Sequence, residues 1–342
     1  MFKMVGVLVS MSSMCGLFFS VVGVVLSFVS VGLLGVWVGM ELSFLSIICF
    51  ASGSSVEETE SMMKYFIIQV LGSCVCAMGF LMCVNSMYVL FSQFFILGGM
   101  MVKLGVFPFH FWVGPVVSNL SWAGCAGVLL LQKLIPLWVL SNYVFLFKDL
   151  SRVEFLCCAT SLVGCVGGLN VLNYRVLLGF SSIQNLGPMV LLCCCQEFFL
   201  WVYVFVYMLV TGCFIMSLWN LSVYGFFDLV KENLSSQFNS VWWVSLYLFS
   251  SSGLPPFTGV VMKVSLLLGC WNYMPLGSGV CILSSCISLF FYLSVLLGMI
   301  VSWGKSVSFL KNKSSFISSN SMVLSLLINL SGGFIMFLCL SL

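Results

Sequence analysis

Four charged side chains fall well inside long apolar runs: Glu41, Lys103, Lys133 and Lys263. A charge at the centre of a bilayer costs roughly 2.5–3.5 kcal/mol on insertion scales. Such groups face the protein interior and mark ion paths or proton relays. In water a lysine, with a pKa of ~10.4, holds its proton too firmly to hand it on. Burial favours the neutral amine and a neighbouring carboxylate favours the ammonium, so a Glu/Lys pair whose separation changes is a switchable proton site. Glu41 is the only acid deep in a run and the natural partner for an early lysine. Lys133 and Lys263 extend the line, with water bridging the gaps. Lys64 and Arg175 lie at the ends of their runs, where a long stem lets the charge reach the interface.

Two of these lysines stand beside helix breakers. The stretch from Met100 to Trp112 holds Lys103, Gly105, Pro108 and His110, the only histidine of the chain. Proline inside a helix removes a hydrogen bond and clashes with the preceding turn, so a broken helix is predicted here. The stretch Ser251 to Gly259 carries Gly253, Pro255, Pro256 and Gly259, with Lys263 just beyond. Broken helices at membrane depth are tolerated only where they line a cavity or are buried in protein. Two interrupted spans in corresponding halves point to a transport site built from inverted repeats. The lysine precedes the first break and follows the second. His110, with a near-neutral pKa as a type, suits a relay position and equally suits packing.

The elements that must hold these residues are membrane helices. The chain has 342 residues, 62% of them hydrophobic and only 6% charged, whereas a soluble domain is about a quarter charged. Runs of ~20 apolar residues recur along nearly the whole length, each enough to span ~30 Å of hydrocarbon. The expected fold class is an all-α polytopic membrane protein, residues 1–342 forming a single transmembrane domain of about eleven helices, two of them broken. The first spans are expected near Met4–Leu26 and Ser27–Phe50, the ninth over the long run Phe238–Trp271, and the last near Met322–Leu340. Met1 to Met4 lead into an apolar run without a small-residue cleavage site, which predicts a retained first helix.

Loop charge gives orientation. Lys3, Lys64, Arg175, Lys231, Lys305, Lys311 and Lys313 share one side, against Lys148 and Arg152 on the other. The N-terminus is therefore expected on the insertion side and the C-terminus opposite. The net charge of +3 carries no nucleic-acid signal. The 17 cysteines lie mostly in the spans and read as small apolar packing residues. A single histidine removes mixed Cys/His zinc patterns and paired-histidine haem ligation. No P-loop, dinucleotide fingerprint, nucleophile constellation or quinone pattern occurs. Abundant Phe, Gly, Val, Cys and Trp match a T- and G-rich coding strand, as in small organellar genomes.

The motifs Trp37 to Leu42, Lys64-Tyr65-Phe66 with Gln69, Lys103 to Trp112, Gln132-Lys133-Leu134, Gly167 to Asn170, Arg175, Ser181-Ser182-Ile183 and Gly253 to Gly259 with Lys263 occur in that order. Together, over roughly residues 30 to 270, they resemble the antiporter-like subunits of complex I, the mitochondrial NADH dehydrogenase (ubiquinone), of the subunit 2 type. The resemblance implies an inner-membrane subunit of the proton-pumping arm, with eleven helices, the N-terminus on the matrix side and the C-terminus on the intermembrane side. It implies that Glu41 pairs with Lys103, that Lys133 is the central relay lysine and that Lys263 lies toward the exit. NADH, FMN, iron–sulfur clusters and ubiquinone belong to other subunits, so this chain needs no cofactor and no metal. The implied partners are neighbouring antiporter-like subunits, lipids, protons and water. The chain departs from the family at Gly114-Pro115, which replaces a Pro-Glu, at Asn185, where a histidine is expected, and at Met262 and Val264 beside Lys263. Two other classes remain open: a free-standing cation/proton antiporter, and a structural spacer whose charges are fixed in salt bridges.

Overall fold

The computed structural model describes residues 11–52, 55–83, 89–143, 150–169, 171–225, 228, 238–255, 257–307, 329–330 and 332–334. Pro256, the start of the first expected span and most of the last one lie outside the described residues. So do Lys3, Lys148, Lys231, Lys311 and Lys313, and with them much of the orientation tally. The described residues are almost entirely helical, and among them seven helical stretches are long and apolar enough to cross a membrane. The chain divides into two compact units, Met1–Leu150 and Ser151–Leu342.

In the first unit α1 (Met11–Val29) and α2 (Leu33–Ala51) form a hairpin. Helix α1 continues past Leu26 to Val29, and the chain turns at Ser30, Val31 and Gly32. The second span therefore starts later than Ser27, because nothing polar interrupts the first helix before that turn. Without the hydrophobic effect to draw helices together in lipid, association rests on close contact between small residues. A Cβ on Gly23 would lie 2.7 Å from the Ser43 nitrogen, and one on Gly39 would lie 2.8 Å from the Gly23 oxygen. The seam serines Ser27 and Ser43 turn their hydroxyls back onto the Val24 and Met40 carbonyls, at 2.7 and 2.9 Å. Neither of these two hydroxyls is left facing hydrocarbon.

A second hairpin joins α3 (Val56–Cys83) to α4 (Val89–Leu104). Glu57 and Glu58 occupy the first turn of α3, the positive end of its dipole. The exposed Glu60–Lys64 pair, at 2.7 Å, adds little. A 3₁₀ turn (Phe109–Trp112), α5 (Val113–Asn119) and α6 (Trp122–Ala126) come next. A π turn (Gly127–Leu131) then leads into α7 (Gln132–Tyr143), which packs on α4, α1 and α2.

The second unit contains α8 (Leu150–Gly168), α9 (Tyr174–Cys195) and α10 (Glu197–Leu221). The expected ninth span is two helices, α11 (Phe238–Ser252) and α12 (Gly259–Cys270), followed by α13 (Pro275–Val307). At 15 and 12 residues, neither half of that span is long enough to cross alone. Helix α9 packs on α10, α12 and α13, and Gly164 of α8 lets the Gln184 backbone approach it closely. Sixteen of the 22 residues of α9 are buried. At the start of α13 the Gly277 amide donates to Glu154 Oε1 of α8 at 2.6 Å, which places a carboxylate at the positive end of that helix.

Candidate functional site

The two breaks share one local geometry. Helix α4 closes on Gly105, whose φ of 76° is left-handed and suits a residue without a Cβ. The amides of Gly105 and Val106 reach back to the Val102 and Met101 carbonyls, at 3.3 and 3.0 Å. This is the Schellman closure. Helix α11 closes in the same way on Gly253, with φ 69°. There the Gly253 and Leu254 amides donate to the Ser250 and Phe249 carbonyls, at 3.1 and 3.4 Å. Pro108 comes after the first closure and Pro255 after the second, so neither helix can simply resume. A Cβ on Gly259 would overlap the Ser250 carbonyl, which requires glycine where α12 begins.

A helix end leaves carbonyls without intrahelical donors, and hydrocarbon offers none. At the first break Trp112 Nε1 donates to the Val102 carbonyl at 3.3 Å, and Gln69 Nε2 of α3 donates to the Lys103 carbonyl at 3.1 Å. Tyr65 of α3 packs its ring 5.6 Å from that of Trp112. The Lys103 ammonium leaves the helix toward α2 and meets Glu41 Oε1 at 3.2 Å. The Lys103 side chain is 4% exposed and that of Glu41 21%, so this is an ion pair held out of bulk solvent at a broken helix.

At the second break the lysine itself supplies the missing donor. Lys263 Nζ donates to the Ser252 carbonyl at 2.9 Å. That oxygen ends α11, so the ammonium sits at the negative end of a helix dipole. The two sites are alike in backbone and unlike in counter-charge: a full carboxylate faces Lys103, and a helix end faces Lys263.

Lys133 is buried in α7, directly after the π turn. The Gln132 amide donates to the Gly127 carbonyl, one residue further back than in an α-helix. The extra residue turns the following helix by about 100°, which re-aims Lys133. Gln132 Nε2 donates to the Ser43 carbonyl at 3.1 Å, tying α7 to α2 two residues beyond Glu41. His110 lies on the 3₁₀ turn, its ring 6.1 Å from that of Phe107 and 4.1 Å from that of Phe111. Asn185, where the resemblance expects a histidine, is fixed at both ends of its amide. It donates to the Ser181 carbonyl at 2.8 Å and accepts from the Tyr203 hydroxyl at 2.9 Å.

The structure thus brings Glu41 and Lys103 together and puts Lys133 on a helix tied to the one that carries Glu41. Lys263 lies in the second unit. A search for unusual side chains overlooks the Ser252 carbonyl, because a backbone atom leaves no trace in composition. Gln69 is visible only as part of a motif, and its contact with Lys103 spans 34 positions.

Residues 30–290 match the family described as NADH:quinone oxidoreductase/Mrp antiporter, transmembrane. The NADH-ubiquinone oxidoreductase chain 2 of Albinaria caerulea is 29% identical over 333 residues, covering 93% of this chain and 96% of the relative. That of Anopheles gambiae is 30% identical over 272 residues, covering 76% of this chain and 77% of the relative. A chain of respiratory complex I from Thermus thermophilus with bound aureothin superposes with a TM-score of 0.79 at 18% identity, covering 97% of this chain and 81% of that one. The chain therefore belongs to the NADH:quinone oxidoreductase/Mrp antiporter transmembrane family, among the NADH-ubiquinone oxidoreductase chain 2 proteins.

Proposed function

We propose that this chain is a core membrane-arm subunit of the proton-pumping NADH:ubiquinone oxidoreductase, in the mitochondrial inner membrane. Its two units work as one transmembrane domain of eleven spans, with the N-terminus in the matrix and the C-terminus in the intermembrane space. Glu41, Lys103, Lys133 and Lys263 carry protons, and the broken helices at Gly105 and Gly253 give the two outer lysines their settings. His110 is at most an accessory member, since its ring is packed against phenylalanines. Moving one charge against 100 mV takes about 2.3 kcal/mol. That work comes from electron transfer between NADH and ubiquinone in other subunits, where flavin and iron–sulfur clusters reside. Neighbouring antiporter-like subunits are the direct partners.

The observation that carries this reading is the Lys103–Glu41 pair, 3.2 Å apart, on a broken helix of a chain of this family. Lys103→Met in the assembled complex, reconstituted in vesicles, tests it. Protons moved per NADH oxidised fall while assembly persists. Full pumping in that variant would reduce the pair to a structural salt bridge. A free-standing cation/proton antiporter would instead purify alone and exchange Na⁺ for protons, and a single deep acid argues against it.

A further inference from the structure

Two residues of helix α3 touch Lys103. Gln69, 3% exposed, donates from Nε2 to the Lys103 carbonyl at 3.1 Å. Gly72 lies three positions on, which puts it on the same face of the helix. A Cβ there would stand 2.8 Å from Lys103 Cγ and 3.3 Å from the Gly99 oxygen. The first residue grips the backbone of the lysine. The second leaves room for its methylene stem. Between them they fix both ends of the lever that carries the ammonium to Glu41.

We propose that Gln69 and Gly72 are positioning residues that aim Lys103 at Glu41. This rests on the proton-transfer reading of that pair. The Lys103 carbonyl lies in the last turn of α4, at a closure that already takes the Met101 and Val102 carbonyls. Without the Gln69 amide that carbonyl faces a water-poor interior, and the closure relaxes until it finds a donor. The lysine Cα moves with it. A side chain at Gly72 acts on the same ammonium from the other end, by pushing the stem aside. A 3.2 Å ion pair has little slack, because its strength depends on distance and direction.

The test is a double-mutant cycle in the assembled complex in vesicles, reading protons moved per NADH oxidised together with the amount of complex assembled. Gln69→Leu removes the donor at similar volume, and Gly72→Ala adds the methyl group. Each is made in the parent and in Lys103→Met. The expected result is a roughly three- to tenfold loss of pumping from either change in the parent, the range of one lost buried hydrogen bond. In Lys103→Met neither change has a further effect, and in the parent Gln69→Asn, which keeps an amide donor, retains more pumping than Gln69→Leu. Losses that add to those of Lys103→Met would overturn the proposal, as would full pumping in both single variants. Should Gln69→Leu block assembly, Gly72→Ala alone completes the cycle. Failed assembly by both variants in both backgrounds would make these residues structural and also refute it. If instead Lys103→Met itself pumps normally, the proton-transfer reading fails, and that result is distinct from these.

Discussion

Replacing Glu41 by glutamine removes a charge and keeps the shape, and the exposures of the pair set the size of the effect. The Lys103 side chain is 4% exposed and that of Glu41 is 21%. Removing the acid leaves an ammonium almost without water, at a cost of about 3–5 kcal/mol. Lys103→Met leaves a carboxylate that this chain encloses less fully, 21% exposed against 4%, so the loss is smaller, about 1–3 kcal/mol. Replacing both partners leaves no orphan charge and returns the stability to about that of the parent. The assay is the half-life of the assembled complex on heating in its membrane, paired with protons moved per NADH. Stability should rise in the order Glu41→Gln, Lys103→Met, double variant, while pumping stays low in all three. Equal losses in the two single variants would refute the burial argument. A double variant as unstable as Glu41→Gln would refute the pairing, and recovered pumping in the double variant would refute the assigned role.

Two further changes probe the second unit. Gly253→Ala forces a left-handed φ of 69° on a residue with a Cβ, at about 1–2 kcal/mol, and its methyl group would stand 2.5 Å from Lys263 Cε. The ammonium is pushed off the Ser252 carbonyl, and vesicle pumping should fall more than complex assembly does. Glu154→Gln removes the charge that accepts from the Gly277 amide at the start of α13. Glutamine still accepts, so the expected loss is that of the charge alone, about 0.3–1 kcal/mol, read as a shorter thermal half-life with protons per NADH unchanged.

The membrane class and the two places where helices stop are written in side-chain types. Long apolar runs need no partner to be recognised, and the Gly/Pro pairs after Lys103 and before Lys263 mark both stops, although Gly187-Pro188 sits inside α9 without ending it. Glu41 stands out as a partner because it is the only deep acid. What resists reading is how each break is completed. The Lys103 carbonyl is capped from 34 positions away, and Lys263 finds a backbone oxygen. The π turn before Lys133 lies in the unremarkable sequence Gly127-Val128-Leu129-Leu130-Leu131. Directly after it Gln132 reaches the Ser43 carbonyl, a contact across 89 positions. The late start of α2 has a plainer origin, since Ser27 turns its hydroxyl back onto the Val24 carbonyl and α1 runs on to Val29.

Helix α9 has a consequence for how this gene tolerates change. A helix with one lipid face accepts most apolar replacements every three or four positions, so a saturation scan along it oscillates with the turn. Helix α10 alternates in this way, with Phe205, Leu209 and Met216 outward and Val206, Val210 and Ser217 inward. Along α9 nearly every side from Leu177 to Cys193 meets protein. Its tolerance profile should be flat and low, without a helical period. Even silent-looking swaps such as Val for Ile would register there. Under steady mutation, α9 would be the segment that drifts least.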